Sequence, residues 1–435
     1  MKNFLKKNYI LILITLIGFV IRIAGITQNP PSLNWDEVSH GYNAYSILKT
    51  GHDEWGTFLP AIFPAFGDYK LPLYIYLTIP FVAIFGLNAL SVRLVSVIAG
   101  TLAIPAIYFL AKGLTPKGSV KIKGINPIGI GHLAAFILAI LPWHIFISRP
   151  ALEANLALTF IIAGFYFLIR KSYILSAIFL SLSLHTYNTA RLFTPLILVS
   201  WFLIYRPKLK TTKENIISLI ILFFSGIIVL YQIFIGTGTA RYSQISLLSE
   251  HQVYVIGQNR TNSTLPGILP RLIYNRPVQV SKTVFSKYLE HFTSSFIYQS
   301  NGANNQFSIP NTNMLTWPVI TVYLLGLFFI FKNIKQKEHL FLAALLFFSP
   351  LADSLTIDPA HALRSSIMIP ALVIISAIGL FYISSKTKFK YLTLLLFAIT
   401  FILSTVSYWK KYDTDYKNTY SQSYQFYLSN ASLIE

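Results

Sequence analysis

The chain has no cysteine among its 435 residues, which excludes disulfides and thiolate metal sites and leaves any ordered loop to be held by packing alone. Charge is also scarce: only 11% of residues are charged, against roughly 25% in a soluble domain. With 54% hydrophobic residues, no soluble globular fold is compatible with this composition. Acidic residues are rarer still, 15 against 35 Lys and Arg. The resulting net charge of +20 would suit a nucleic-acid partner only if it were gathered on one face, and here it is scattered between apolar runs. The sequence has no P-loop and no GxGxxG, so cytoplasmic nucleotide chemistry is not expected. It also lacks HExxH, DxD and His-rich tracts, so no metal or other cofactor is expected, the pair Asp36-Glu37 being weak ground for a divalent ion. No internal repeat supports a solenoid or an inverted-repeat transporter.

What fills the chain instead is a series of apolar runs, near 9–27, 90–111, 128–148, 156–170, 173–187, 192–205, 216–235, 315–331, 339–356, 366–385 and 391–408. Each approaches the roughly 20 residues that cross a bilayer. The expectation is an all-α, polytopic membrane protein of about 11 transmembrane helices, in a cell (inner) membrane. The run from Leu71 to Gly86 is ambiguous, and charge decides it. If it crossed, Lys112, Lys117, Lys121 and Lys123 would lie opposite Lys2, Lys6 and Lys7. Left uncrossed, as an aromatic-rich interfacial helix, it puts the basic clusters at 2–7, 112–123, 170–171, 206–213, 332–337 and 386–390 on the cytoplasmic side. The N-terminus is then cytoplasmic and its first apolar run a retained span. Residues 1–408 form the membrane unit, with external loops at 28–89 and 236–314 and a short external tail at 409–435.

Polar residues concentrate in the external segments. Asn34-Trp35-Asp36-Glu37 opens a short helix whose spacing puts Asp36, His40 and Asn43 on one face. Asn34 and Glu37 have the spacing of a capping box, which competes with a chemical role for Glu37; Asp36, beside apolar spans, suits a general base. Lys70 precedes the proline-started run 71–86, where it could hold a phosphate as a point charge or simply anchor at the interface. Arg149 and Glu153 share a tight external turn, where they could pair or face an interior site. His185 with Asn188 and Arg191, Arg22, and the segment Asp358 to Arg364 are further candidates for orienting a sugar or phosphate. Each could equally be a residue snorkelling from a span end. His132 and His144 read as satisfied interhelical polar groups. An amphipathic stretch near 280–298, with Tyr288, Glu290 and His291, could lie on the membrane surface.

The order Asp36-Glu37, then Tyr42 or Tyr45, Lys70-Leu71-Pro72, Arg93, and Arg149-Pro150-x-x-Glu153 resembles the GT-C class of membrane glycosyltransferases. Within that class it is most similar to the protein O-mannosyltransferase-like and aminoarabinose-transferase-like enzymes. Arg364 with Met368 and Pro370 resembles the family's Arg-aromatic-x-x-Pro opening of a late span. Two departures bear on donor identity: Leu71 stands where aminoarabinose-transferase-like members often have Pro, and Glu153 where relatives commonly have Asp. The resemblance implies a first external loop carrying juxtamembrane helices. It implies inverting transfer from a polyprenyl-phosphate sugar to a protein, glycan or lipid acceptor. The expected roles are catalysis by Asp36 and Glu37, donor-phosphate binding by Lys70, Arg149 and Arg364, and substrate positioning by His40, Tyr42, Glu153 and His361. The rival readings are a polysaccharide polymerase or ligase, against which Asp36-Glu37 argues, and a non-enzymatic lipid-linked sugar transporter.

Overall fold

A computed structural model describes residues 2–65, 68–115, 128–207, 212–234, 250–297, 306–309, 312–356 and 359–420. Lys117, Lys121, Lys123, Asp358 and the segments 235–249 and 421–435, all used above, lie outside them. The first half runs α1 (Lys2–Ile23), α2 (Trp35–Thr50), β1 (Phe63–Ala65), β2 (Asp68–Lys70), α3 (Pro72–Phe85), α4 (Ala89–Gly113), α5 (Ile130–Ile140), α6 (Pro142–Ile147), α7 (Glu153–Ile169), α8 (Tyr173–Leu184), α9 (Asn188–Tyr205) and α10 (Lys213–Gln232). The second half runs α11 (Glu250–Thr261), α12 (Leu269–Ile273), α13 (Arg276–Glu290), α14 (Ser294–Ile297), α15 (Trp317–Lys332), α16 (Lys337–Phe348), α17 (Leu351–Ser354), a 3-10 turn (Arg364–Met368), α18 (Ile369–Lys386), α19 (Lys390–Lys411) and a π-helical turn (Tyr412–Tyr420).

The all-α expectation holds: the one sheet among the described residues is the two-stranded hairpin β1–β2. Five helices are long and apolar enough to cross a membrane, Ala89–Gly113, Asn188–Tyr205, Lys213–Gln232, Arg364–Lys386 and Lys390–Asn418, and shorter apolar helices accompany them. The molecule is thus a multi-pass membrane protein. The run 364–386 is its hub, with 89% of an 18-residue stretch of it buried, whereas the corresponding stretch of 213–232 is only 11% buried and turns its apolar surface outward. Close approach of α15 and α18 requires Gly326 and Gly379, because a Cβ on either would collide with a backbone carbonyl of the other helix.

Pro142 divides what the sequence presents as one span, 128–148, into α5 and α6. Proline has no N–H to give the carbonyl four residues back, and its ring clashes there. The freed carbonyls find other donors. Arg22 gives hydrogen bonds to the carbonyls of Leu138 (3.3 Å) and Ala139 (3.0 Å), and Thr405 Oγ1 to that of Ile140 (3.1 Å). Arg22 also meets His144 Nδ1 at 2.7 Å. The expectation that Arg22 orients a substrate or snorkels is therefore corrected: it is fully buried and seals a helix break.

Two further buried arginines fasten the loop between α1 and α2. Arg149 donates to the carbonyls of Ile21 (3.1 Å), Arg22 (3.0 Å), Ala24 (2.8 Å), Gly25 (3.2 Å) and Asn29 (2.8 Å). Its guanidinium lies 4.9 Å from the Trp409 ring and 5.6 Å from that of Tyr412. Arg93 donates to the carbonyls of Ile26 (2.7 Å), Pro30 (2.8 Å) and Ser32 (2.8 Å). An irregular segment that must be buried needs donors for its carbonyls, and a guanidinium supplies five N–H groups in a fixed fork.

Candidate active site

The site begins with α2. Asn34 caps it: Asn34 Oδ1 accepts from Glu37 N (3.0 Å) and Glu37 Oε2 accepts from Asn34 N (3.1 Å), the reciprocal box expected from the spacing. This fixes the helix phase, so Asp36 and His40, four residues apart, share one face. Lys70 ends β2, opposite Phe63 in the antiparallel register. Pro72 then starts α3, because a proline at the first helical position forfeits no hydrogen bond. The hairpin and the helix start together aim Lys70 at α2, and Lys70 Nζ lies 2.5 Å from Asp36 Oδ1.

Glu153 opens α7 and reaches the same point from the turn between α6 and α7. Its Oε1 is 3.9 Å from Lys70 Nζ and its Oε2 is 3.7 Å from His40 Nε2. One ammonium thus lies between two carboxylates, with side chains only 10–15% exposed. His40 is fully buried, packs at 4.8 Å on the Tyr74 ring, and has no hydrogen-bond partner on either ring nitrogen. Burial is the largest influence on His40 and pushes its pKa down, opposed by Glu153, so the ring is neutral at pH 7. Burial pushes the Tyr74 phenol well up, keeping it a donor to the Val92 carbonyl at 3.0 Å.

These groups open into a cavity of about 160 Å³ lined by Asp36, Lys70, Glu153, Asn188, His361 and Arg364, with Tyr69, Tyr187 and Phe307 as aromatic wall. Arg364 and His361 come from the segment before α18, where Arg364 Nη1 donates to Thr356 Oγ1 at 3.1 Å and the His361 ring lies 5.2 Å from that of Phe307. The cavity therefore presents two cations, two carboxylates and a histidine from four separate segments.

Four nominated residues do not line it: His40, which packs behind it on Tyr74, and Glu37, Arg149 and Tyr42. Glu37 is fully buried, paired with Arg93 at 2.8 Å through Nε and 3.0 Å through Nη2, and its Oε1 also accepts from Ala151 N (2.9 Å). Both its oxygens are saturated, so the capping and structural alternative replaces the catalytic one. Arg149, 1% exposed, gives both Nη groups to loop carbonyls and does not line the cavity. Tyr42 is half-buried and outside the cavity lining; two residues from His40, it lies on the far side of α2. Of the lesser candidates, His185 meets Ser225 Oγ at 3.0 Å and Arg191 donates to the Leu184 carbonyl (3.0 Å) and to Gln232, both contacts that serve packing; only Asn188 of that group reaches the cavity. His144 makes the interhelical polar contact expected of it, Nδ1 to Arg22, but its buried Nε2 has no hydrogen-bond partner.

Sequence reasoning missed Phe307, Tyr187 and Asp353. Phe307 sits in a long loop with no periodicity to mark it. Asp353 carried a usable signal, an acid at the end of an apolar run. Among the described residues no group of three or more His, Asp and Glu side chains is placed to hold a metal ion; between Asp36 and Glu153 the Lys70 ammonium takes the position a cation would use.

The architecture is that of the GT-C class of membrane glycosyltransferases. The chain is similar to the oligosaccharyltransferase AglB of Archaeoglobus fulgidus, in a complex with an inhibitory peptide and a dolichol-phosphate, at TM-score 0.57 and 13% identity over 94% of this chain and 56% of that one. The apo form of the Archaeoglobus fulgidus oligosaccharyltransferase gives TM-score 0.55 and 14% identity over 95% and 56%. ArnT of Cupriavidus metallidurans bound to undecaprenyl phosphate gives 0.49 and 12% over 93% and 75%. The chain thus spans just over half the length of the archaeal enzyme. No curated protein matches it by sequence. The dolichyl-phosphate-mannose-protein mannosyltransferase family model matches residues 12–237, more than half of the chain, and the chain belongs to that family.

Proposed function

We propose that the protein is an inverting glycosyltransferase that moves a hexosyl or pentosyl group from a polyprenyl phosphate to an acceptor hydroxyl on the extracytoplasmic face of a cell (inner) membrane. Residues 1–408 act as the membrane-embedded catalytic unit of about 11 spans, with a cytoplasmic N-terminus. The observation that carries this reading is the convergence of Asp36, Lys70, Glu153, His361 and Arg364 on one cavity. The family match supports it, as do structural relatives that bind dolichol-phosphate or undecaprenyl phosphate.

In the proposed step the acceptor oxygen forms a bond to the anomeric carbon as the bond from that carbon to the phosphate oxygen breaks. Asp36 takes the acceptor proton, and the phosphate leaves with its charge matched by Lys70 and Arg364. Cations fixed where negative charge develops are usually the largest contribution to such catalysis. Glu153 holds Lys70 from behind, and Asn188 with the aromatic wall is placed to contact the sugar. No resident metal enters the scheme. The test is transfer of a radiolabelled polyprenyl-phosphate sugar in membranes. Asp36→Asn should lower transfer by about 10²–10⁴-fold, the usual worth of a positioned base, with the same amount of folded protein. Retained transfer removes Asp36 from that role.

A further inference from the structure

Outside the cavity, the described residues contain a second buried acid–base group that the transfer scheme does not use. Asp353 in α17 is 2% exposed, and its Oδ2 receives two donors. One is the backbone N–H of His361, at 2.7 Å. The other is His291 Nε2, at 2.8 Å, from a ring that is itself fully buried. His291 Nδ1 faces the Lys287 carbonyl at 2.8 Å, so both ring nitrogens point at oxygens and the ring and carboxylate form a buried pair.

A parallel link runs beside it. Lys287 Nζ donates to the Thr356 carbonyl at 2.6 Å. Thr356 gives its N–H (2.9 Å) and its Oγ1–H (2.8 Å) to the Asp353 carbonyl, while Thr356 Oγ1 accepts from Arg364 Nη1 at 3.1 Å. Two contacts from the end of α13, at Lys287 and His291, therefore grip the turn 353–356. That turn in turn holds both polar residues that the α18 side contributes to the cavity: His361 through its N–H, and Arg364 through its guanidinium.

We propose that His291, Lys287 and Asp353 are positioning residues that set the Arg364 guanidinium at the phosphate subsite, so that the long external loop, through α13, controls donor affinity. The proposal rests on the reading of Arg364 given above. Burying a carboxylate costs several kcal/mol unless it is paired, and apolar packing would join α13 to α17 at less cost. What a carboxylate oxygen adds is direction: two donors meeting at one Oδ2 fix the 361–364 backbone relative to α13. A loop movement that withdrew His291 or Lys287 would release the cation without touching Asp36 or Lys70.

The experiment is a binding titration of undecaprenyl phosphate to the full chain in lipid nanodiscs, with thermal melting as a control. His291→Leu should weaken binding by about tenfold, a coupling of ordinary size for groups in one network, and should have no further effect in an Arg364→Ala background. Lys287→Met, which removes a half-buried contact and spares the buried pair, should weaken binding in the same direction and also lose its effect without Arg364. A His291→Leu effect equally large in both backgrounds, or a lower melting temperature with unchanged binding, overturns the positioning role while leaving the transferase reading intact. Equal binding by the unsubstituted chain and Arg364→Ala overturns both. Should His291→Leu not fold, the Lys287→Met pair decides the matter by the same criteria.

Discussion

Asp36 and Glu37 are neighbours in the first turn of one helix, yet their carboxylates live in different chemistries. Glu37 accepts from Asn34, Arg93 and Ala151 and is fully buried. Asp36 meets Lys70 and faces the cavity. The same division separates the basic residues. Arg93 and Arg149 are committed to loop carbonyls, whereas Lys70 and Arg364 line the cavity. What assigns a charged residue in this protein is how far its hydrogen-bonding capacity is already used. The protein needs this committed set because the loop between α1 and α2, in a chain without cysteine, has to be stitched to the helices by something directional.

The sharpest way to break the comparison is to exchange the two acids' fates. Asp36→Asn should cost transfer and spare folding, while Glu37→Gln should do the reverse. It leaves the Arg93 guanidinium buried without its counter-ion, a loss of roughly 3–5 kcal/mol and so a large fraction of a typical domain's stability. Yield of folded protein by size exclusion in detergent, set beside transfer per folded molecule, separates the two. If Glu37→Gln folds normally and loses activity, the division drawn here is wrong. A smaller effect should follow Lys70→Ala. Loss of one charge-assisted contact is worth about 1.5–3 kcal/mol, so the apparent KM for the lipid-linked donor should rise roughly 10- to 100-fold while acceptor KM barely moves. Equal change in both would make Lys70 an interfacial anchor.

Much of this was legible in the residues. Apolar runs of bilayer length marked the helices, and capping-box spacing located α2 to the residue. The cavity-facing members of each external turn were also visible as types, since Asp36, Lys70, Glu153, His361 and Arg364 were all nominated. What spacing could not show was which of two adjacent charges is used up. Glu37 and Arg149 look chemically apt until their partners, 56 residues away at Arg93 and up to 128 residues away at Ile21, are known. Saturation is a property of long-range contacts and has no local signature. The Pro142 break shows the same limit: the proline is plain in the sequence, but the donors that repair it, Arg22 and Thr405, come from the first and last long helices.

The smallest expected effect concerns His40, which stands behind the site without lining it. Burial holds its pKa below the ordinary value of about 6.5; Glu153, Asp36 and Glu37 favour the charged ring, and Lys70 opposes it. Because the folded state releases this proton more readily than the unfolded chain, the unfolded state binds more protons just below pH 6.5, and stability rises with pH through that window. The contribution is therefore fully present above about pH 6.5 and is lost as pH falls through the lower folded value. Protonation would also bring a positive ring within 3.7 Å of Glu153 Oε2, where it competes with Lys70 for that carboxylate. His40→Gln, which cannot be protonated in this range, should flatten the acid limb of both the melting temperature and donor KM while leaving values at pH 7.5 changed by no more than a few-fold. An acid limb identical in the two proteins would assign the pH response to the carboxylates of the cavity instead.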